Sequence, residues 1–469
     1  MKTIALTFAA ALLAGTVAAC SGGAGEGDRG DSPSPAIEVG TDAGTTTTSS
    51  ETDDGGTQKD AAADVARPPP APLPIPKLVG SAETCKLISN TKLEDPAANK
   101  AQFRANVTGT DLGIPVEHDG TLYFLFGDTV GFRGIWGFGE SPDAVGFSLA
   151  SPAAVAVDPS VLCTNLRFLT LPVQSSVGPS QDSRIERDFA GVHMTPPAGH
   201  AIGEYVHNPA NTGFPNLPGD FEVPSGAFSY GGSMYVFYTT VDGAVQMKGS
   251  YLAKWVAPSP SALPAYDILY GIDQRFTANG PLNGDFINIA PLVHGAYVYL
   301  YGTGDYRQSA VHLARKALAT LGQPGGFERY DATTKSWLAP GTPVAPIVPS
   351  LANGEMSIRY FPAIGRYMML NQEQGPAGVR VIARFSEKPE GPWSDVVVHD
   401  LADPAFKAKY CCTANACLGE QLFHCDRAGF YGTYLLPEVK VQQDGSFVVS
   451  YVMSTWDPYN VALMQATFK

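Results

Sequence analysis

Two carboxylates stand near the ends of one short stretch, GTDLGIPVEHDGTLYFLFGDT, which covers residues 109 to 129. Asp111 and Asp128 lie among glycines and apolar residues, where a solubilising charge is not needed. Paired carboxyl groups can hydrolyse a glycosidic bond, because one protonates the leaving oxygen while the other activates water or attacks the anomeric carbon. Crowding raises the pKa of one carboxyl and keeps it protonated near neutral pH. The structural alternative is that each aspartate caps a turn.

The strand–turn–strand pattern around this pair recurs along the chain. In each block an apolar strand enters a turn that contains glycine, and a strand rich in Tyr, Phe and Val leaves it. The five blocks are IPVEHDGTLYFLFGDT, GAFSYGGSMYVFYTTV, APLVHGAYVYLYGTGD, IRYFPAIGRYMMLNQE and KVQQDGSFVVSYVMST. They predict an all-β fold, namely a five-bladed β-propeller. A pair of β-sandwiches or an irregular β fold is the alternative.

In a propeller the first strand of each blade lines the central axis, so the residues that begin these strands form the mouth of a pocket. Besides Asp111, the polar residues at these positions are Ser225, Asn288, Glu355, Tyr431 and Tyr434. We predict that they converge from distant parts of the chain and bind a substrate. For Glu355, an ion pair with Arg359 on the same strand is the structural alternative.

The first residues, MKTIALTFAAALLAGTVAAC, combine a lysine, an apolar run and small residues, which is typical of a secretory signal. The end of this run resembles a bacterial lipobox, which implies that residues 1–19 are removed and that Cys20 carries a lipid. An ordinary signal peptide is the alternative. Residues 20–76 are polar and proline-rich and predict a disordered tether. We expect an exported bacterial lipoprotein at the outer surface of a membrane.

Residues 77–469 are long enough for a large core, and the repeated blocks favour a single propeller domain over two or three domains. The spacing between the turns is uneven, and the first gap is the longest. The sequence therefore predicts an insertion around residues 130–220.

The amino-acid composition of the chain excludes one class of binding partner. The chain has 31 basic and 45 acidic residues, a net charge of −14 and no basic stripe, so a nucleic-acid partner is excluded. The sequence contains no P-loop, no G-x-S-x-G elbow and no H-E-x-x-H motif. No cofactor is expected, and a structural calcium ion is left open. The expected partners are a polysaccharide and, through the lipid, a membrane.

Six cysteines remain after Cys20, an even number in an exported protein, and this predicts disulfides. Four of them lie in CCTANACLGEQLFHC, which ends at residue 425. The spacing lacks the paired C-x2-C of zinc sites, so a loop stapled by disulfides is favoured over a metal site.

The segments TGTDLGIPVEHDGTLYFLFGDT, VPSGAFSYGGSMYVFY, GDFINIAPLVHGAYVYLYGTGDYRQSAVHLAR, GEMSIRYFPAIGRYMMLNQ and YGTYLLPEV resemble, in the same order, the family known as domain of unknown function 4185. Part of that family is classed as glycoside hydrolase family 183, endo-acting D-arabinanases that cut mycobacterial arabinan. The resemblance implies a five-bladed propeller with Asp111 and Asp128 as the catalytic pair. It places Glu355 and Tyr431 at recurrent family positions. The lipid anchor, the cysteine-rich loop and the insertion depart from the family pattern.

Taken together, these features predict a hydrolase of a furanose-containing polysaccharide, with endo-cleavage of D-arabinan as the leading hypothesis. Asp111 would be the general base or nucleophile and Asp128 the acid, and the reverse assignment is also open. The rival hypothesis is a non-catalytic propeller that binds a glycan or a protein at the cell surface. Removing one carboxylate separates the two, because a hydrolase loses turnover and keeps its affinity.

Overall fold

Alternating apolar and polar residues make most of the described chain fold as β-strands. The computed structural model describes residues 73–89, 98–131, 143–172, 185–195, 221–242, 244, 246–259, 264–275, 281–375, 378–413, 417 and 419–469. The predicted signal peptide, the lipidation site Cys20 and the predicted tether up to residue 72 lie outside the described residues.

The strands are β1 (Leu78–Ile88), β2 (Leu112–His118), β3 (Thr121–Asp128), β4 (Asp143–Ser148), β5 (Leu166–Phe168), β6 (Thr170–Leu171), β7 (Asp188–Phe189), β8 (His193–Thr195), β9 (Phe221–Tyr230), β10 (Ser233–Val241), β11 (Met247–Val256), β12 (Ala265–Gln274), β13 (Asn288–His294), β14 (Tyr297–Thr303), β15 (Ser309–Ala317), β16 (Phe327–Asp331), β17 (Ser336–Leu338), β18 (Val348–Phe361), β19 (Arg366–Gly375), β20 (Gly378–Ser386), β21 (Ser394–Asp400), β22 (Phe430–Val441), β23 (Phe447–Thr455) and β24 (Asn460–Phe468). The helices are α1 (Ala101–Arg104), α2 (Pro152–Val157), α3 (Leu162–Asn165) and α4 (Pro404–Tyr410). The all-β prediction is confirmed. Within the described ranges, no helix has the length and hydrophobicity that crossing a membrane requires.

The strands form successive antiparallel meanders. The first sheet is β2–β3–β4–β5, and the second is β9–β10–β11–β12 with β8 added in parallel at its edge. β13–β14–β15, extended by β16 and β17, pairs through β15 with β18, which opens the meander β18–β19–β20–β21. The last sheet is β22–β23–β24 with β1 on its outer edge. Each of the five predicted blocks therefore begins its own meander.

The opening strands of these meanders, β2, β9, β13, β18 and β22, pack side by side. Each contacts the next in chain order, and β22 contacts β2. Hydrogen bonds give their relative direction, since Ser357 of β18 donates to the Thr433 carbonyl and Arg359, two residues later, donates to the Leu435 carbonyl of β22. The two strands therefore run in the same direction. Glu355 of β18 and Tyr431 of β22, each two residues before the first of these contacts, therefore lie at the same end of the pair.

Apolar side chains from neighbouring sheets pack together and form the core. Phe385 and Tyr451 belong to the cluster between the fourth and last meanders, and Leu125 and Tyr238 belong to the cluster between the first and second. All four are at most 1% exposed. Burial of such a side chain is worth roughly 1.5–3 kcal/mol, so the core holds the opening strands in fixed positions.

Both ends of the folded region contribute to the last sheet. β1 pairs with β24 along its length, and Lys77 and Lys469 exchange two backbone hydrogen bonds of 2.8 and 2.9 Å. A disulfide between Cys85 and Cys163 joins β1 to α3. Contacts group residues 71 to 469 into one unit.

Two further disulfides, Cys411–Cys425 and Cys412–Cys417, staple the cysteine-rich loop, so the disulfide prediction is confirmed for all six cysteines. Among the described residues, the side chains of Cys412, Cys417 and His424 form the single group of three that could hold a metal ion. The disulfide between its two cysteines removes both thiolates as ligands.

Residues 130–220, the span predicted as an insertion, include β4 and β5 of the first sheet. The same span also includes α2, α3 and β6 to β8, which lie outside that sheet. Its segments 132–142, 173–184 and 196–220 lie outside the described residues.

Candidate active site

Asp111 lies immediately before β2, at the end where the opening strands begin. The next two residues, Leu112 and Gly113, both have left-handed backbones, with φ of 60° and 82°, and the β2–β3 register shifts between Leu112 and Ile114. This is a β-bulge, a distortion common beside functional sites because it redirects the chain. A non-glycine residue with positive φ is strained, and the surrounding packing must hold it in place.

The Asp111 carboxylate is buried, with 8% of the residue exposed. Its Oδ2 accepts hydrogen bonds from the hydroxyls of Tyr459 at 2.7 Å and Tyr431 at 2.9 Å. Its Oδ1 is buried and has no hydrogen-bond partner among the described residues. One oxygen is thus fixed by two phenols, and the other is left without a protein partner.

Burial, together with the charges of Asp128 and Glu355, raises the pKa of Asp111 to about 7. The hydrogen bonds from Tyr459 and Tyr431 act in the opposite direction, because they stabilise the ionised carboxylate. Asp111 therefore titrates near neutral pH.

Asp128 ends β3, next to the glycine over which Asp111 packs. A Cβ atom built on Gly127 would lie 2.5 Å from Oδ1 of Asp111, too close for any side chain. The Gly127 amide also donates to the Asp111 carbonyl at 3.2 Å. Glycine at this position leaves room for the Asp111 carboxylate to pack against β3.

A cluster of carboxylates surrounds Asp128. Burial raises the pKa of Asp128 to about 6, and the charge of Glu222 contributes. Asp143 is the register partner of Asp128 across the β3–β4 pair. Burial holds the pKa of Asp143 well above its ordinary value, and the charges of Asp128 and Glu222 add to this, while a 3.3 Å hydrogen bond from Tyr238 opposes it.

Glu355 is paired, but not with the residue that the sequence suggested. Arg307 donates to both of its oxygens, at 2.9 and 3.2 Å, and the Arg307 guanidinium also lies over the Tyr431 ring, 4.8 Å from its centroid. The alternative of an ion pair with Arg359 is wrong, because Arg359 instead donates to backbone carbonyls of β2 and β22. Arg307 thus links Glu355 to a phenol that holds Asp111.

The structure brings together five of the predicted residues, Asp111, Asp128, Glu355, Tyr431 and Tyr434. Tyr434 is buried beside Glu355 and Asp111. Burial raises the pKa of Tyr434 well above its ordinary value, and the charges of these two carboxylates act in the same direction. Its hydroxyl has no hydrogen-bond partner within the described part of the chain. A buried phenol of this kind can donate to a ligand oxygen.

The other two predicted residues lie in different surroundings: Asn288 begins β13, whereas Ser225 lies within β9. The Ser225 hydroxyl donates to the Phe237 carbonyl and accepts from the Ile289 amide, each at 3.3 Å, so it ties β9 to its neighbours. Asn288 is buried, and its Oδ1 has no partner in the described ranges. A substrate-binding role for these two residues stays a prediction.

Sequence reasoning missed four residues of the site: Asp143, Glu222, Arg307 and Tyr459. Asp143 begins an apolar strand, just as Asp111 does, and that resemblance could have identified it. The contributions of Arg307 and Tyr459 depend on packing between meanders that are far apart in sequence.

Comparison with solved structures finds similar folds of low sequence identity. The structure is similar to the catalytic domain of the GH62 α-L-arabinofuranosidase of Coprinopsis cinerea, with 13% identity, a TM-score of 0.44, and coverage of 84% of this chain and 98% of that one. It is also similar to the α-L-arabinofuranosidase PaAbf62A of Podospora anserina, solved with cellotriose, with 11% identity, a TM-score of 0.43, and coverage of 84% and 98%.

The search of curated proteins finds no match. The family model described as domain of unknown function DUF4185 matches residues 96–465, so this chain belongs to that family, as its motifs predicted.

Proposed function

We propose that this protein is a glycoside hydrolase that cleaves a furanose-containing polysaccharide. The observation that carries the proposal is that Asp111 packs against Gly127, the residue before Asp128 on the neighbouring strand, so that the charge of Asp128 acts on Asp111 while burial raises the pKa of both towards neutrality. Hydrolysis of a glycoside needs one protonated and one ionised carboxyl at the same pH, and a coupled pair can supply both. Resemblance to the endo-D-arabinanases makes D-arabinan the proposed substrate.

The proposed scaffold is a five-bladed β-propeller, in which each meander is one blade. Support comes from the contacts of the five opening strands, each with the next and the last with the first. In this arrangement Asp111, Glu355 and Tyr431 stand around one end of the central axis. A rigid ring of strands is suited to hold reacting groups from distant parts of the sequence.

We assign the base or nucleophile to Asp111 and the acid to Asp128. Tyr459 and Tyr431 both donate to Asp111 Oδ2, and a proton on the buried Oδ1 would have no acceptor among the described residues. Both features favour the ionised form of Asp111. Burial nevertheless gives Asp111 the higher pKa of the pair, about 7 against about 6 for Asp128, so the assignment requires the shared proton to move to Asp128 when the substrate binds.

In the proposed reaction the proton of Asp128 goes to the glycosidic oxygen as its bond to the anomeric carbon breaks. Asp111 Oδ1 either takes a proton from the attacking water or forms the bond to the anomeric carbon itself. The anomeric configuration of the first product, read by NMR, separates these routes. Both proton transfers are supplied by protein carboxyls, so we propose a reaction without a cofactor, whose rate EDTA leaves unchanged.

Product analysis tests the function. The full chain is incubated with mycobacterial D-arabinan and a panel of other glycans, and oligosaccharides are separated by chromatography. We expect oligosaccharide products from D-arabinan. We expect Asp111→Asn to lower the rate of their formation at least about a thousandfold. Asp119→Asn is the matched control, since Asp119 lies in the turn after β2 and its side chain is 75% exposed.

Absence of products from every glycan would contradict the hydrolase and favour a non-catalytic binding propeller. Asp111→Asn would then change the affinity for a glycan or leave it untouched. Turnover and binding are measured on the same preparation, so the two functions give different results.

For location, we propose that a lipid on Cys20 and the tether to residue 76 hold the folded part at the outer surface of a bacterial membrane. Metabolic labelling with a tagged fatty acid, with Cys20→Ser as control, tests this anchor. Label retained by Cys20→Ser would contradict it.

A further inference from the structure

A cavity of about 370 Å³ lies along the opening strands, beyond the carboxylates. Asp111 precedes β2, whereas the cavity is lined by later residues of β2, from Ile114 to Glu117. The same holds on β18, where Glu355 faces the carboxylate site and residues 356–360 line the cavity. Because the opening strands run in the same direction, the cavity lies beyond the carboxylate site, towards the opposite end of the strands. Its volume is within the range of small-molecule sites.

Arg359 supplies a positive charge to this cavity, and two of its three guanidinium nitrogens donate to protein groups. Nε donates to the Leu435 carbonyl at 2.8 Å and Nη2 to the Pro115 carbonyl at 2.9 Å. In the described part of the chain Nη1 has no hydrogen-bond partner, and this atom is not fully buried. Two backbone carbonyls therefore fix the guanidinium, and one nitrogen remains accessible to a ligand.

Acceptors stand near this donor. Glu117 lines the cavity and is exposed, and Ser229 and His118 form a hydrogen bond of 2.9 Å at the same end. Glu117 and Glu438 both act on Arg359 and oppose the lowering of its pKa by burial. One guanidinium is thus balanced by two carboxylates. No surplus of positive charge attracts an anion.

Exposed aromatic surface marks the mouth of the cavity. Tyr360 lines it with 38% of the residue exposed, and its ring lies 4.7 Å from the Tyr367 ring and 6.1 Å from the His294 ring. These contacts hold the Tyr360 ring rigidly at the surface. An aromatic ring beside paired donors and acceptors offers an apolar face and hydrogen bonds to the same ligand.

We infer that this cavity is a second saccharide site, which binds a neutral sugar residue between Tyr360, Arg359 and Glu117. Sugar hydroxyls both donate and accept, so they can use Glu117 as acceptor and Nη1 of Arg359 as donor. The C–H face of the ring would pack on Tyr360. The choice of arabinose as the first probe rests on the proposed function, and the site itself does not.

Methyl NMR of the full chain tests the site directly, because Met356 lines the cavity and only nine methionines give signals. The Asp111→Asn chain is labelled at methionine methyls and titrated with D-arabinan oligosaccharides, with glucose and galactose oligosaccharides, and with inorganic phosphate. We expect a saturable shift of Met356 with a saccharide. Met247, on β11 outside the cavity, should stay unchanged.

Tyr360→Ala and Glu117→Gln are each expected to weaken this binding at least tenfold. Tyr230→Ala is the matched control, because Tyr230 is 40% exposed and does not line the cavity. Glu117→Gln keeps the shape of the side chain, so the test does not depend on the tyrosine variant alone.

Three results would overturn the inference: no Met356 shift with any saccharide, a shift with phosphate alone, or equal affinities in Tyr360→Ala and Tyr230→Ala. The methyl signals report binding and not turnover. A chain without hydrolase activity can therefore pass this test, and an active hydrolase can fail it.

Discussion

Asp143 lies directly opposite Asp128 where β3 and β4 pair, so two carboxyl groups face each other across neighbouring strands. Like charges at opposed positions destabilise a sheet, and burial adds to the cost of ionising both. The protein accommodates them because the pKa of each is raised, that of Asp143 well above its ordinary range. The site thus retains protons near neutral pH.

This proton retention predicts a stability that falls as pH rises. The folded-state pKa values of Asp128, about 6, and Asp111, about 7, lie above the unfolded value of 3.8. Their contribution is therefore full below about pH 4 and is lost as pH rises through 6 and 7. We expect Asp143→Asn to reduce this loss by about 1–3 kcal/mol at pH 8, since each pKa unit corresponds to about 1.4 kcal/mol. Urea unfolding at pH 5 to 8 measures it.

Asp444→Asn is the control for this series. The pKa of Asp444 is lowered to about 2 by hydrogen bonds from Ser446, so its contribution changes only in acid. If the unfolding free energy of Asp143→Asn falls with pH as steeply as that of the unaltered chain, the carboxyl cluster does not hold these protons.

The two phenols on Asp111 predict a shift in pH dependence. Tyr459→Phe removes a 2.7 Å donor to Oδ2, which raises the pKa of Asp111 because the ionised form loses stabilisation. A hydrogen bond to a charged group is worth about 1.5–3 kcal/mol, so the acidic limb of the pH–rate profile should move up by about one unit.

Tyr431→Phe should move the limb in the same direction, and the exposed Tyr230→Phe should not move it. Rate profiles measured with D-arabinan from pH 4 to 9 supply the comparison. An acidic limb that stays in place in both site variants would argue that another group is the base.

Arg307 is predicted to stabilise the fold through Glu355. Arg307→Ala leaves a carboxylate with 8% side-chain exposure and without its bidentate partner, which costs about 3–5 kcal/mol when a buried pair is broken. Adding Glu355→Gln should recover part of the loss, because the unpaired charge is then removed. Unfolding free energies of the two single variants and the double variant give the coupling.

Arg427→Ala is the matched control, since Arg427 and Asp457 form an exposed pair with side-chain exposures of 57% and 39%. Such pairs contribute at most about 1 kcal/mol. Equal losses in Arg307→Ala and Arg427→Ala would contradict the buried-pair interpretation.

Gly127→Ala is predicted to lower activity more than stability. The new methyl would meet Asp111 Oδ1 at 2.5 Å, and the carboxylate must move to relieve the contact. A displacement of about 1 Å can cost about a hundredfold in rate. Gly80→Ala, where a Cβ would meet nothing within 4 Å, is the control for glycine replacement in a strand. Full activity in Gly127→Ala would contradict the assigned position of Asp111.

The sequence predicts those features of the fold and site that depend on residues close together in the chain. Asp111 and Asp128 could be predicted because one hairpin motif contains both, and glycine turns mark the start of each meander. The repeated blocks predict that Ser225 begins its strand, but β9 begins at Phe221, and the Ser225 hydroxyl bonds backbone groups of neighbouring strands. The position of a residue in a repeated block does not decide which groups its side chain meets.

Partners from distant meanders could not be predicted in this way. Glu355 and Arg359 share one strand face, yet Arg359 reaches across to carbonyls of β2 and β22. The partner of Glu355 is Arg307, from the connection between β14 and β15, where the backbone is left-handed with φ of 55°. Packing between meanders and loop conformation set these contacts, and neither leaves a periodic pattern.

The pairing of β1 with β24 has a consequence for the order of events during synthesis. β1 has no partner until the ribosome has passed residue 468, and Asp111 has no Tyr459 to hold it until about the same moment. Until its last strand is available, the chain therefore lacks the partner of β1 and a phenol that holds Asp111. Completion of the last sheet and assembly of the carboxylate site become one late event, and a chain that lacks its final strands would have neither.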